Sequence, residues 1–193
     1  MAKITIDSTY TVADSVKIPL LGFGVYDSPP HLCVQSCITA LKAGYRHIDT
    51  AQIYGNEADV GRALQESGIP RKDVFVTTKI LSAAGSVDKS YARCLESVDK
   101  LNPSAGEEGG YVDLFLVHSP NAGAKARREL WLALEKVHKE GKARSIGVSN
   151  FGIKHIEELK EYATIWPPHV LQIEVCHVGR PCHLVRILTV PPF

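Results

Sequence analysis

The sequence has no excess of charge of either sign and no long apolar run. Its 193 residues include 22 Lys and Arg against 21 Asp and Glu, a formal net charge of +1. This near-equal balance of charges excludes the strongly basic surface with which proteins bind nucleic acids or anionic membranes. No segment is apolar over the length of a membrane span, and Met1 to Tyr10 lacks the apolar core of a secretion signal. We therefore predict a cytoplasmic protein with no nucleic-acid or membrane partner.

Cysteine is also scarce, and its number does not suit a disulfide framework. The five cysteines are odd in number, and no Asn-x-Ser/Thr sequon with a permitted middle residue occurs. Two Cys-His pairs, Cys176-His177 and Cys182-His183, lie near the C-terminus. Their spacing matches no usual zinc motif, so we predict no metal site.

The sequence does contain an alternation of short apolar or β-branched runs with longer segments of helical period. Six runs predict strands: Ile18 to Phe23, Tyr45 to Ile48, Val74 to Thr78, Val112 to Val117, Arg144 to Val148, and Val170 to Glu174. A possible hairpin over Lys3 to Lys17 precedes them. This order is typical of repeated βαβ units, which form either an open doubly wound sheet or most of an eight-stranded barrel.

Five helices fit between the predicted strands. They cover about Leu32 to Ala43, Asn56 to Glu66, Asp88 to Leu101, a fourth marked by Leu130, Leu134 and Val137, and a fifth marked by Ile153, Ile156 and Leu159. Asn56 and Asp88 are residue types that cap helix N-termini, and we expect both to do so. The stretch from Asn102 to Gly110 is rich in Gly, Pro, Ser and Glu and predicts a loop.

Polar residues follow several predicted strands where each one ends. These residues are Asp49, Lys79, His118, Ser149 and Asn150, and Tyr54 lies just past Asp49. Each has a structural explanation: an aspartate can cap a loop, a lysine can snorkel, and a histidine can be bonded in the core. In a β/α barrel, however, the C-terminal ends of all strands meet at one rim, where active sites lie. The whole set therefore indicates a site better than any one member does.

The chemistry of this set is coherent with carbonyl reduction. A carbonyl that accepts hydride needs a proton at its oxygen, and the hydroxyl of Tyr54 can donate one. A nearby ammonium stabilises a phenolate, so we expect Lys79 to lower the pKa of Tyr54 toward neutral pH. Asp49 would pair with Lys79 and hold it in place. His118 could then orient and polarise the carbonyl.

Six segments resemble the aldo-keto reductases in order and spacing. They are Leu21-Gly22-Phe23-Gly24, the run from Gly44 to Ala51, Tyr54-Gly55-Asn56-Glu57, Thr77-Thr78-Lys79, the run from Asp113 to His118, and the run from Ile146 to Phe151. The resemblance covers about Ile18 to Val175. It implies that Asp49, Tyr54, Lys79 and His118 are the catalytic residues.

The resemblance also implies a (β/α)8 barrel that binds NADPH without a Rossmann domain and reduces small-molecule carbonyls to alcohols. Gly22-Phe23-Gly24 lacks the third glycine of a dinucleotide fingerprint, which agrees with the absence of a Rossmann domain. The cofactor-binding positions implied by the family are Gly24, Tyr26, Asp49, Ser149, Asn150 and Gln172. The last three carry the donors and acceptors that a nicotinamide carboxamide needs.

The family pattern ends at Cys176, before a barrel could close. We therefore expect an incomplete (β/α)8 TIM barrel over residues 1 to 175 and an unrelated tail over residues 176 to 193. A barrel lacking two strands leaves pairing edges on its first and sixth strands, through which the chain could self-associate. The alternative function is a catalytically inactive truncated product that acts as an interaction or regulatory subunit. A third interpretation is another barrel enzyme, such as an isomerase or hydrolase. Such an enzyme needs paired carboxylates or metal ligands at the strand ends, and the predicted strand ends carry neither.

Overall fold

The computed structural model describes residues 4–13, 16–103, 110–174 and 185–188. The described residues contain two sheets and five α-helices, joined by loops and short helical turns. In chain order the elements are β1 (Thr9–Ala13), β2 (Val16–Pro19), β3 (Phe23–Gly24), α1 (Pro30–Lys42), β4 (His47–Asp49), α2 (Glu57–Glu66), β5 (Phe75–Ile80), α3 (Val87–Leu101), β6 (Val112–Val117), α4 (Ala124–Lys139), β7 (Ala143–Ser149), α5 (Ile153–Lys160), β8 (Val170–Glu174) and β9 (Val185–Leu188).

The main sheet is an incomplete β/α barrel. Strands β3 to β8 are all parallel, and each pairs with its neighbours in chain order. A doubly wound open sheet would instead reverse its strand order at a switch point. The unbroken order therefore decides between the two architectures that the sequence allowed, and the predicted partial barrel is confirmed.

The alternation of side chains along β5 shows how the sheet sorts its two faces. Val76 and Ile80 point outward into the core that the helices cover, whereas Phe75 packs in a separate core within the sheet's concave side. Thr77 and Lys79 follow Phe75 at the two-residue period of a strand, so they share its inner face. This period is what directs the side chain of Lys79 into the barrel.

The N-terminal hairpin closes the end of the barrel opposite the strand C-termini. β1 and β2 are antiparallel, and Val16 and Ile18 of β2 pack in the inner core with Phe75 and Leu114. The prediction that Ile18 to Phe23 forms the first barrel strand was therefore wrong. Ile18 pairs with Tyr10 in the hairpin, and the barrel strand β3 has only two residues. The predicted hairpin ended too early for the same reason.

Two predicted helix caps were also wrong in detail. α3 begins at Val87, and the hydroxyl of Ser86 accepts a hydrogen bond from the Lys89 amide at 3.3 Å, so Ser86 is the cap and Asp88 lies within the first turn. Asn56 does occupy the position before α2, but its side chain makes no capping bond there. It bonds Thr50 and the Val25 carbonyl instead.

The sixth parallel strand does not have the open edge that the sequence predicted. β9 pairs antiparallel with β8, with Glu174 opposite Val185 and Leu171 opposite Leu188. Most of the predicted loop from Asn102 to Gly110 and most of the predicted tail lie outside the described residues. Within the described ranges, no helix is long and apolar enough to cross a membrane.

Asp113 joins three strands near the hairpin end of the barrel. Its carboxylate accepts hydrogen bonds from Arg71 at 2.9 Å, the Val76 amide at 2.9 Å and Arg144 at 2.8 Å. Its side chain is only 2% exposed. Removing Asp113 takes the buried anion away from two guanidinium groups and leaves the Val76 amide without its acceptor.

We predict that Asp113→Ala lowers the free energy of unfolding by about 3 to 5 kcal/mol, the usual cost of breaking a buried ion pair. Urea denaturation followed by circular dichroism measures it. The matched control is Asp59→Ala, which removes an exposed pair with Arg62 and should cost less than about 1 kcal/mol. Equal losses in the two variants would contradict the assignment of Asp113 as the link between the strands.

Candidate active site

The residues predicted for the site converge on the rim where the parallel strands end. Asp49 is the last residue of β4, Lys79 the last but one of β5, and Ser149 the last of β7. His118 directly follows β6, and its amide bonds the Ile80 carbonyl at 2.9 Å. Gln172 lies in β8 opposite Ser149. Because all these strands run in one direction, their polar ends face one another across the concave side.

Lys79 provides a buried positive charge at the centre of the rim. Its side chain is 2% exposed, and its ammonium lies 2.5 Å from Asp49 Oδ1. The ammonium also donates to the Thr50 carbonyl at 3.0 Å. The expected pairing of Asp49 with Lys79 is therefore present, and these two acceptors offset much of the cost of removing the ammonium from water.

Asp49 is held on its other side by Gln172. The amide of Gln172 donates to Asp49 Oδ2 at 2.8 Å, although 123 residues separate the two in the chain. One carboxylate thus joins β4 to Lys79 of β5 through one oxygen and to β8 through the other. This arrangement fixes the orientation of the carboxylate toward Lys79.

Tyr54 lies on a short helical turn that follows β4, and it faces the ammonium of Lys79. The turn covers Gln52–Tyr54 and ends at Gly55, whose φ of 71° suits glycine. The hydroxyl of Tyr54 is 3.4 Å from Lys79 Nζ. Its ring packs against Tyr26 and His118, with centroids 5.1 Å and 5.5 Å away.

Burial raises the pKa of Tyr54 above the ordinary value for tyrosine, and the Lys79 ammonium opposes this effect without reversing it. The expectation that Lys79 brings this pKa down toward neutral is therefore wrong for the structure. Lys79 acts in the predicted direction, but desolvation of the phenol outweighs it. The phenol is accordingly protonated at neutral pH and has a proton to donate.

His118 is uncharged in this setting. Burial and the positive charge of Lys79 lower its pKa to about 4. Its buried Nδ1 has no hydrogen-bond partner within the part of the chain that the structure describes. A neutral imidazole still carries one N–H, so at neutral pH it can donate a hydrogen bond to an oxygen but holds no extra proton.

The residues expected to hold a nicotinamide fit that group in their chemistry. Asn150 has a φ of 60°, its amide donates to the Gln172 carbonyl at 2.8 Å, and its side-chain oxygen accepts from the Glu174 amide at 3.2 Å. At Gly24, opposite Asp49 in the sheet, an added Cβ would meet nothing within 4 Å. The rim thus offers donors, acceptors and open space together.

The sequence reasoning missed three residues near the rim. Thr50 supplies a carbonyl to Lys79, Glu174 ends β8 and acts electrostatically on Tyr54, and Asn56 bonds behind the turn that carries Tyr54. Asn56 and Thr50 belong to segments already singled out. No pattern in the sequence shows a backbone acceptor or a buried amide, so these roles were not readable from it.

No group of three or more His, Cys, Asp or Glu placed to hold a metal ion occurs in the described ranges. The two Cys-His pairs, Cys176-His177 and Cys182-His183, lie outside those ranges.

The fold and the rim together define the class of β/α-barrel proteins whose polar site lies at the strand C-termini. The model of the "Aldo/keto reductase family" matches residues 33–187, beyond the Cys176 position where the resemblance was placed to end. The chain belongs to this family. The proposed boundary between residues 175 and 176 stays a prediction.

Individual relatives agree with the family. The chain is 42% identical over 166 residues to a 9,11-endoperoxide prostaglandin H2 reductase of Trypanosoma cruzi, covering 86% of this chain and 56% of that protein. It is 37% identical over 171 residues to a glyoxal reductase of Bacillus subtilis, covering 88% of this chain and 59% of that protein. The chain thus spans less than two thirds of the length of these curated relatives.

Solved structures show the same extent of likeness. An aldo/keto reductase from Brucella melitensis matches with a TM-score of 0.79 and 40% identity, over 87% of this chain and 63% of that one. A Bombyx mori aldo-keto reductase in complex with NADP matches with a TM-score of 0.76 and 32% identity, over 87% of this chain and 58% of that one.

The Asp49–Lys79 pair should show strong energetic coupling. In a double-mutant cycle of Asp49→Asn, Lys79→Met and the double variant, we expect a coupling energy of about 2 to 3 kcal/mol, because each single change leaves its partner buried without it. Urea denaturation measures the four stabilities. The same cycle for the exposed pair of Asp88 and Lys136 should give less than about 1 kcal/mol. Equal coupling in both cycles would refute the buried pair.

The depressed pKa of His118 should appear in the pH dependence of stability. Below the unfolded-state value of about 6.5 the unfolded chain binds a proton that the folded site resists, so stability is lost as pH falls toward 4. We expect His118→Asn to recover about 1 to 2 kcal/mol of the free energy of unfolding that the wild type loses between pH 7 and pH 5.

Urea denaturation at the two pH values measures this difference. The variant His31→Asn, at an exposed position on α1, reports the effect of exchanging a histidine outside the site. If His118→Asn loses as much stability between pH 7 and pH 5 as the wild type does, His118 is not a buried neutral imidazole.

Proposed function

We propose that this chain catalyses the NADPH-dependent reduction of an aldehyde or ketone to an alcohol, with Tyr54 as the general acid. The observation that carries the proposal is the grouping of one protonated phenol, one buried ammonium and one neutral imidazole at a single rim. The Tyr54 hydroxyl lies 3.4 Å from Lys79 Nζ, and the rings of Tyr54 and His118 lie edge to face.

When bound, NADPH supplies the hydride that reduces the carbonyl carbon. The donors and acceptors of Ser149, Asn150 and Gln172 would hold its carboxamide. Gly24 and Tyr26 would lie beside it, and Asp49 completes the cofactor-binding set. The NADP complex of the Bombyx mori relative supports this choice of cofactor.

The residues of the chain supply the proton and stabilise the charge that its transfer leaves behind. The carbonyl oxygen, as it gains negative charge, takes the proton of the Tyr54 hydroxyl, and the tyrosine becomes a phenolate. The Lys79 ammonium stabilises that phenolate electrostatically and Asp49 keeps the ammonium in position. His118, being neutral, donates a hydrogen bond to the same carbonyl oxygen and orients it without competing as an acid.

The substrate is a small-molecule carbonyl compound. The site has exposed apolar side chains against which an apolar substituent of the substrate could pack. Tyr26 and Ile53 flank Tyr54 in the chain or in space and are 65% and 60% exposed. Glyoxal, taken from the name of the Bacillus subtilis relative, and 4-nitrobenzaldehyde are therefore suitable first probes.

We expect the 193-residue chain to bind NADPH in a fluorescence titration and to oxidise it when either probe is present. Tyr54→Phe should bind NADPH within about twofold of wild type but lose turnover by about 100-fold or more, the contribution of a positioned general acid. The loss of absorbance at 340 nm measures turnover. The control Tyr91→Phe removes an exposed hydroxyl on α3, which donates to Glu140 directly after α4 and away from the rim.

Two results would decide against the proposal. A Tyr54→Phe variant that turns over as fast as wild type would show that another group donates the proton. A folded chain that binds no NADPH at millimolar concentration would favour the alternative, a non-catalytic interaction or regulatory protein.

A further inference from the structure

We propose that Asn56 and Thr50 form a staple that positions Tyr54 and Tyr26 against each other at the rim. The inference rests on the proposed role of Tyr54 as the proton donor. Asn56 itself touches no reacting atom, so it is a positioning residue that acts through the turn carrying Tyr54.

The side chain of Asn56 is hydrogen-bonded through both its oxygen and its nitrogen behind the rim. Asn56 is 4% exposed. Its Oδ1 accepts from the hydroxyl of Thr50 at 2.7 Å, and its Nδ2 donates to the Val25 carbonyl at 2.9 Å. Both bonds are buried, and neither belongs to α2, whose first residue follows Asn56. An amide is required because the position needs one acceptor and one donor in a fixed geometry.

The bond from Thr50 to Asn56 closes the segment that carries Tyr54. The two residues are six apart in the chain, and Tyr54 lies between them. Inside the closed segment the amide of Tyr54 donates to the Ala51 carbonyl at 3.0 Å. Among the residues that the structure describes, the hydroxyl of Tyr54 has only the long 3.4 Å contact with Lys79. The position of the phenol is therefore set by the backbone of this closed segment more than by its own hydroxyl.

Each end of the staple is also attached to another residue of the site. The Thr50 carbonyl accepts from Lys79 at 3.0 Å, so closing the segment also places an acceptor for the ammonium. Val25 donates its amide to the Asp49 carbonyl at 3.0 Å and directly precedes Tyr26. The ring of Tyr26 lies 5.1 Å from that of Tyr54. One buried amide thus connects the segment of the acid with the segment of the exposed ring beside it.

A purely structural role for Asn56 would be to satisfy two buried polar groups. In that case, removing the Thr50 hydroxyl would lower the stability of the whole barrel and leave the two rings where they are. The positioning role predicts a change confined to Tyr54, Tyr26 and their segments. The two explanations therefore differ in where the change appears.

The test compares Thr50→Ser with Thr50→Ala in the full 193-residue chain, because these two variants differ only in the hydroxyl. The probe is the side-chain ¹³Cζ resonance of labelled tyrosine, with Tyr54 and Tyr26 assigned from Tyr54→Phe and Tyr26→Phe. We expect Thr50→Ala to shift or split both resonances by more than a line width, and Thr50→Ser to keep them near wild type.

Amide hydrogen exchange gives a second measurement on the same samples. Loss of a buried hydrogen bond should speed exchange at Tyr54 and Gly55 by about tenfold in Thr50→Ala relative to Thr50→Ser. The amides of α4 should not change. Thr164→Val is the control, since it removes a partly buried hydroxyl bond to Glu135 of α4, away from the rim, and should leave exchange at Tyr54 and Gly55 unchanged.

Unchanged Tyr54 and Tyr26 resonances in a folded Thr50→Ala variant would overturn the proposal, as would a uniform increase in exchange that includes α4. If Thr50→Ala does not fold, Asn56→Asp takes its place, because it keeps the acceptor for Thr50 and removes the donor to Val25; it should shift Tyr26, and no shift there overturns the proposal. None of these measurements needs NADPH or turnover, so they stand apart from a failure of the proposed function.

Discussion

The structure of the rim depends on how a buried ammonium is satisfied. Lys79 ends the inner face of β5, where the pleat of the strand leaves it 2% exposed. An isolated charge there would be very costly, and the carboxylate of Asp49 together with the carbonyl of Thr50 removes most of that cost. Once fixed, the charge acts on its neighbours: it adds to the effect of burial in lowering the pKa of His118, and it opposes the effect of burial on the pKa of Tyr54. Burial of the phenol and of the imidazole, together with this strand-end charge, thus sets the protonation of the group.

Much of the fold followed from pattern because parallel strands and their helices repeat a simple period. The order of six strands and five helices was predicted, and so was the partial barrel. The errors lie where the pattern is short. Ile18 to Phe23 is one apolar run in the sequence, but Ile18 pairs in the hairpin and β3 keeps two residues. Ser86 and Asp88 are both good caps, and only the backbone shows that Ser86 precedes α3.

The members of the candidate site were more predictable than their electrostatics. Strand ends and the family resemblance together identified Asp49, Tyr54, Lys79 and His118, and the structure brings them to one rim. The predicted direction of the Tyr54 pKa shift was wrong, because desolvation of the phenol depends on neighbours such as Tyr26 and His118, whose rings pack against it. Burial of this kind is a property of the assembled fold and leaves no mark in the local sequence.

The bond between Gln172 and Asp49 has a consequence for the order in which the molecule forms. The two residues are 123 positions apart, so the second oxygen of Asp49 gains this partner only when β8 has joined the sheet. Contacts that close such long segments form late in folding, because the chain must first order everything between them. During synthesis the ribosome releases β4, β5 and β6 well before β8. The nascent chain therefore carries Lys79 for some time before the carboxylate that orients it has gained its second partner.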